Sequence, residues 1–210
     1  MDDKIICLDL DDLSFENNNF WYVDKLREQY RDFKLSAFFI PIDAEHMKLM
    51  SPEQREQAKE MVVQGVKDGW LELIPHGLLH RFAEFQKADV KAMELVVKAY
   101  DDYFTKLEVP YIKGFKAPNW LLSDEAIQYL NDMGWWVAVD RNNPYKNYPR
   151  YPYVYNWSID EEMPDYRIIK AHGHISLPSK NNIVDCMGNL LHVPPQYKWK
   201  FVSEVIELEK

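Results

Sequence analysis

The 210-residue chain predicts an α/β fold. Apolar runs of strand length alternate with longer segments of helical period, the pattern of strands and helices wound in turn. Strand after strand ends in a polar or ionisable group: Asp11/Asp12, His76/His80, Lys116, Asp140 and His172/His174. In parallel α/β folds ligands bind at the carboxyl ends of the strands, so these groups are expected to converge on one rim. The length suits one ordinary domain over 1–210, with a sizeable core.

Ile5 to Leu10 is a first buried strand running into the acids Asp9, Asp11 and Asp12. Phe20 to Phe33 carries Val23, Leu26 and Tyr30 at helical spacing, and Leu35 to Ile40 is a second strand stopped by Pro41. Ser51-Pro52-Glu53 opens the clearest helix, with a capping hydroxyl, a proline suited to the first turn and an acid at the positive end. That helix ends near Gly69. Trp70 to Pro75 is a third strand, from whose end His76-Gly77-Leu78-Leu79-His80 hangs.

Ala88 to Leu107 is helical, Tyr111 to Ala117 a strand, and Ser123-Asp124-Glu125 caps a helix reaching Met133-Gly134. Trp135 to Val139 is a strand closed by Asp140. Asn142 to Trp157 breaks the rhythm; rich in Tyr, Pro and Asn, it is expected to be a long ordered loop whose aromatics pack. Arg167 to Ala171 is a late strand leading into His172 and His174, and the last helix is expected over Lys198 to Leu208. No repeat, low-complexity tract or internal boundary interrupts the chain.

Composition removes several function classes. Hydrophobic residues are 47% and aromatics 14%, so disorder is excluded. A net charge of -9 lacks the basic footprint of a nucleic-acid or anionic-membrane binder. Two cysteines, Cys7 and Cys186, fit a reducing compartment better than a disulfide scaffold. No signal-peptide pattern follows Met1 and no apolar run approaches membrane-spanning length, so the chain is expected to be soluble and cytoplasmic. Oligomeric state is not legible.

His76 and His80 are four apart, so one helical turn would put both imidazoles on one face, a common way to offer two nitrogens to zinc. The bland alternative is a partly exposed pair at a strand-to-helix turn. Asp11 and Asp12 would repel each other unless something positive sits close by. A metal supplies it, leaving one carboxylate on the ion and one free to move protons; the alternative is an acidic helix cap. His172 and His174 are two apart and share a face of a strand. His46 and His192 have no motif around them and are expected on the surface or in loops.

Leu10-Asp11-Asp12, then His76-Gly77-Leu78-Leu79-His80, then Gly114-Phe115-Lys116-Ala117-Pro118-Asn119-Trp120, then Ile168 to His174 resemble, in this order, the polysaccharide deacetylases of carbohydrate esterase family 4, the NodB-like deacetylases. The resemblance runs from about Lys4 to His174. It implies a distorted (β/α) barrel, often of seven strands. It also implies a metal held by Asp12, His76 and His80, a general base at Asp11, and Lys116 where an arginine usually pairs with that base. The Asn119 N–H matches the oxyanion donor, Trp120 would line the sugar site, and a late histidine matches the general acid. The local pattern points first to His172, with His174 equally a candidate. Asp140 matches the aspartate behind that acid.

Three positions depart from the family pattern: Leu13 stands for a glycine, Lys116 for arginine and Asn119 for an aromatic. Lysine keeps the charge but loses the bidentate fork. The implied activity is metal-dependent removal of an N-acetyl or similar acyl group from an amino sugar or glycan. One divalent ion is expected, zinc by default, with Co, Ni, Fe or Mn also suited to the donors. Rival readings are a catalytically silent sugar- or protein-binding relative, and another metal-dependent hydrolase on a similar barrel, for which Asp9 is the obvious spare ligand. Tyr148, Tyr151, Tyr153, Tyr155 and Trp157 would either stack on sugar rings or form a packed aromatic loop.

Overall fold

The computed structural model describes residues 3–16, 18–42, 50–175 and 179–210; His46 lies outside them. In chain order the regular elements are β1 (Lys4–Leu13), α1 (Val23–Gln29), β2 (Leu35–Phe39), α2 (Pro52–Lys67), β3 (Leu71–Pro75), α3 (Val90–Leu107), β4 (Gly114–Phe115), α4 (Asp124–Asp132) and β5 (Trp136–Ala138). They continue with β6 (Pro152–Tyr153), β7 (Trp157–Ser158), β8 (Ile168–His174), α5 (Met187–Leu191), β9 (Tyr197–Trp199) and α6 (Val202–Glu209). Among the described residues all strand pairing is parallel. One sheet runs β3-β2-β1-β8-β7, with β9 also on β1, and the second runs β4-β5-β6. Two backbone bonds bring the edges together, Ile112 N–H to Leu73 C=O at 2.8 Å and Lys116 N–H to Pro75 C=O at 3.2 Å. The result is a distorted (β/α) barrel made of two arcs.

Period-two alternation divides each strand between barrel and helices. Ile6, Leu8 and Leu10 pack in the outer core with α1, α3 and α4 residues. Cys7, Phe38, Ile74, Trp136, Ala138 and Tyr153 form an inner apolar layer, plugged by Val202, Val205 and Ile206 of α6. Cys7 and Cys186 are free thiols.

The α6 plug is tied to the barrel floor by a buried acid. Glu72 Oε1 accepts from Ser36 Oγ at 2.6 Å and from the Ser203 N–H at 3.1 Å, while Ser203 Oγ donates to Oε2. Ser36 Oγ in turn accepts the Val202 N–H at 2.8 Å. Two N–H groups of the first turn of α6, which have no partner inside the helix, are satisfied by the barrel itself. Burial raises the Glu72 carboxyl above its usual range despite these donors.

The Ser51 cap with its capping box and the Ser123 cap begin α2 and α4 where the sequence expects them, while α3, expected from Ala88, begins at Val90 after an Asp89 cap. Other expectations need correction. Of the segment 111–117 only Gly114–Phe115 pairs as a strand, just after a tight turn at Lys113 in which the Gly114 N–H donates to Ile112 C=O at 2.8 Å. Phe20–Phe33 divides into a 3₁₀ turn, Asn18–Tyr22, and the short α1. The aromatic loop contains β6 and β7. Lys198 and Trp199 belong to β9, because alternating Tyr197 and Trp199 bury against β1, and the helix starts only at Val202. Among the described residues no helix is long and apolar enough to cross a membrane.

Glu72→Ala should cost about 1–3 kcal/mol by leaving buried donors unpaired, whereas Glu72→Gln, which keeps an acceptor, should cost less than about 1 kcal/mol. Urea unfolding checks this; equal losses would mean that side-chain volume rather than hydrogen bonding matters there.

Candidate active site

The upper end of the barrel carries a polar layer above the apolar plug. β1 and β8 pair with Asp9 beside His172 and Asp11 beside His174. Toward β2 the register of β1 shifts by one residue, Leu10 facing Ala37 but Leu13 facing Phe39. Asp12 sits in this bulge at φ 65°. A bulge re-aims a side chain, and here two adjacent carboxylates are turned to different partners.

Asp12 Oδ1 lies 3.1 Å from His80 Nε2 and 3.5 Å from His76 Nε2. The three donor atoms are within 4.8 Å of one another, an N,N,O set suited to a divalent ion. The His76 Nδ1–H donates to Lys116 C=O at 2.9 Å, which fixes the tautomer and leaves Nε2 with its lone pair. Burial would raise the Asp12 carboxyl, but its contacts with the His76 and His80 imidazoles, which favour the anion whenever those rings carry positive charge, hold it well below the usual range. A carboxylate kept ionised beside two imidazoles fits a bound cation. The expected helical turn is absent: His76 to His80 is irregular, with Gly77 at φ 72° and His80 at φ 53°. The rings still meet, their centroids 4.9 Å apart.

Asp11 faces the other way. The buried Lys116 ammonium donates to its Oδ2, which also lies 3.5 Å from His174 Nε2 and 3.9 Å from His76 Nε2. Asp11 Oδ1 is buried with no hydrogen-bond partner among the described residues. Burial raises this carboxyl, yet Lys116 and the imidazoles of His76, His172 and His174 outweigh it and hold the group below its ordinary value. Lys116 is itself held by aromatic faces, 3.9 Å from the Trp120 ring centroid and 5.1 Å from Phe38. A lysine thus does the pairing that an arginine fork would do, through one oxygen only.

The two late histidines differ. His174 is partly exposed, with Nδ1 on Asn181 Oδ1 at 2.8 Å. His172 is buried, its Nδ1–H donating to Asp9 Oδ1 at 2.6 Å, while Tyr153 O–H donates to Asp9 Oδ2 at 2.7 Å. Burial, reinforced by Lys116, pushes His172 well below the usual imidazole range. Burial likewise raises Asp9, to about 6. Asp11, His172 and His174 also bring donor atoms within 4.8 Å. The ammonium on Asp11 opposes a second cation there, so this trio suits proton handling.

The turn Pro118–Trp120 has Asn119 at φ 54° and Trp120 at φ 59°. Of the six non-glycine residues at positive φ among the described residues, Asp12, His80, Asn119 and Trp120 belong to this site, the clustering expected where geometry is held for function. Trp120 forms a wall with Tyr155 and His172, at centroid separations of 6.0 and 5.8 Å. Asp140 accepts from the Asn142 N–H at 3.0 Å, and the carboxylate behind the buried histidine is Asp9. Sequence reasoning missed Asp9 and Tyr153 in this role. The signal available was the matched spacing of Asp9-x-Asp11 and His172-x-His174 on two strands. Of the aromatic loop, Tyr153, Tyr155 and Trp157 are buried and Tyr148 is exposed.

No family model matches the chain, and no curated protein matches it in sequence. Solved structures do. A family 4 acetyl xylan esterase from Clostridium thermocellum, in complex with a cobalt ion, superposes with a TM-score of 0.58 at 12% identity, over 98% of this chain and 92% of that one. A peptidoglycan N-acetylglucosamine deacetylase gives 0.61 at 10% identity, over 96% and 87%. A CE4 family pseudoenzyme from Bacillus anthracis gives 0.59 at 10% identity, over 97% and 66%. The chain has the fold of the CE4 polysaccharide deacetylases.

Asp9 makes the site's pH signature testable in folding. Its carboxyl, raised to about 6, holds its proton more tightly folded than unfolded. Its contribution to stability is therefore greatest below about pH 4 and is lost as pH rises to about 6. The stability of the wild type minus that of Asp9→Asn should fall across this window by up to about 3 kcal/mol and then level off. Denaturant unfolding between pH 3.5 and 7 measures it. A difference that grows with pH would show that the anion is the favoured form.

Proposed function

We propose that the chain, 1–210 as one catalytic domain, is a metal-dependent hydrolase that removes an N-acetyl or similar acyl group from an amino sugar or glycan. One observation carries this reading: a carboxylate with a free oxygen, Asp11, and an imidazole, His174, lie 3.5 Å apart beside a three-donor metal set. The fold shared with a peptidoglycan N-acetylglucosamine deacetylase supports the substrate class.

Asp12, His76 and His80 would hold one divalent ion, zinc by default. When bound, the ion supplies Lewis-acid polarisation of the acyl carbonyl and a more acidic water. Asp11 Oδ1 takes a proton from the attacking water. Lys116 keeps that carboxylate ionised beforehand and oriented through Oδ2. The Asn119 N–H donates to the developing oxyanion, a contact whose loss costs about 10²–10³-fold in rate at comparable sites.

His174 then gives a proton to the departing amine. It is preferred over His172 because it borders Asp11 and is partly exposed, so it can exchange its proton with solvent. His172, held by Asp9, packs behind it at a ring separation of 5.1 Å. Trp120 and Tyr155 wall the space where a sugar or acyl group would sit. The fold shared with a pseudoenzyme keeps a silent binding protein as the second reading. Acetate release from acetylated amino sugars separates the two.

Asp12→Asn, His76→Ala and His80→Ala should each lose the ion, read by metal analysis, while Asp11→Asn should keep it and lose turnover. Metal retained at full occupancy in all three ligand variants would remove the site. A ligand-like loss of metal in Asp11→Asn would remove the division of labour.

His174→Ala should lose about 10²–10⁴-fold on an acetamide, whose amine leaving group needs a proton, and far less on an activated aryl acetate. Equal losses on both substrates would take the acid role from His174; the same selective pattern in His172→Ala would give it to that residue.

A further inference from the structure

The two imidazoles of the metal set are joined by Gly77-Leu78-Leu79, a segment with no regular structure to hold it. Its backbone groups are satisfied from outside. Glu84 Oε1 accepts both the Leu78 N–H, at 2.9 Å, and the Leu79 N–H, at 3.2 Å. Tyr100 O–H donates to Gly77 C=O at 2.6 Å, and the Ile42 N–H to Leu78 C=O at 3.1 Å. Glu84 Oε2 is buried and has no partner among the described residues. The carboxylate is therefore folded over the turn at a cost in desolvation, instead of pointing into water.

Glu84 stands on a rigid support. Its neighbour Phe85 is buried, bridges to Leu122, accepts the Ser123 N–H at 3.0 Å and packs edge-on against Phe115 at 5.1 Å. Gly77 is what lets the turn come this close. A Cβ there would lie 2.8 Å from Glu84 Oε2 and 2.6 Å from Pro118 Cγ. The turn is thus seated between the carboxylate and the Pro118 turn, and the segment on either side of it ends in His76 or His80.

We infer that Glu84 is a positioning residue for the metal site, fixing the turn that spaces His76 and His80. The inference rests on the metal reading proposed above. Outer residues that orient metal ligands typically change affinity about 10–100-fold when removed. The role depends on an acceptor at the end of a three-carbon reach and not on charge, which separates three substitutions.

Glu84→Gln should bind Co²⁺ within about threefold of the wild type, because its amide oxygen can accept the same two N–H groups. Glu84→Asp, charged but too short, and Glu84→Ala should bind about 10–100-fold more weakly. Titration of the metal-free protein with Co²⁺, followed by visible absorption and paired with thermal melts, reads both affinity and fold. Variants that melt earlier yet bind Co²⁺ as tightly as the wild type would reduce Glu84 to a loop staple and overturn the inference. Glu84→Gln as weak as Glu84→Ala would overturn it in favour of a charge effect. A wild type that binds no Co²⁺ would overturn the metal reading itself, and this inference with it.

Discussion

Everything at the upper end of the barrel depends on the register of β1 against β8. Parallel pairing puts Asp9 beside His172 and Asp11 beside His174, with all four side chains on the barrel side. A slip of β1 by one residue would set Leu8 and Leu10 beside His172 and His174, placing apolar residues where half of the polar layer stands and turning Asp9 and Asp11 against the helices. The apolar residues on the outer face therefore lock the polar ones in place. Ile6, Leu8 and Leu10 are each fully buried in the outer core, so the hydrophobic term that drives folding also selects the register that assembles the site.

That register brings charge into a dry place. Lys116 and Asp11 are nearly inaccessible, and burying such a pair costs about as much as it returns unless further contacts compensate. Part of the compensation is visible. The ammonium lies over two aromatic faces, and three imidazoles surround the carboxylate. Below them Asp9 and His172 meet the same penalty differently, their titration shifted by burial in opposite directions, each toward its neutral form. One layer thus holds an ion pair and, beside it, a hydrogen-bonded pair for which burial favours neutrality. The α6 plug, fastened by Glu72, closes the barrel beneath both.

The parts of this arrangement that were legible in the sequence are those governed by local rules. Ser51 and Ser123 cap helices because a hydroxyl before a helical run has a short-range reason to be there. Strand-end residues converge because parallel strands share a polarity. What escaped depends on partners far away in the chain. Asp9 gains its meaning from His172, 163 residues on, and from Tyr153, 144 residues on. The His76–His80 spacing suggested a helix, but the turn is held by Glu84, Tyr100 and Pro118, whose approach no periodicity records. Lys198 and Trp199 look like the start of the last helix until β1 pairs with them.

The bulge at Asp12 has a consequence for how the site can vary among sequences. At φ 65° the backbone there is comfortable for Asn, Asp or Gly and strained for most other residues, so the conformation itself filters which side chains can stand at position 12. Drift away from aspartate is channelled toward asparagine, which keeps the turn while giving up the negative charge. On the metal reading proposed above, a descendant that gave up its ion by that step would keep a folded barrel, an intact Asp11–Lys116 pair and an outwardly unchanged rim. Loss of chemistry and loss of structure are thereby uncoupled at this position, and a single base change in an aspartate codon is enough to pass from one condition to the other.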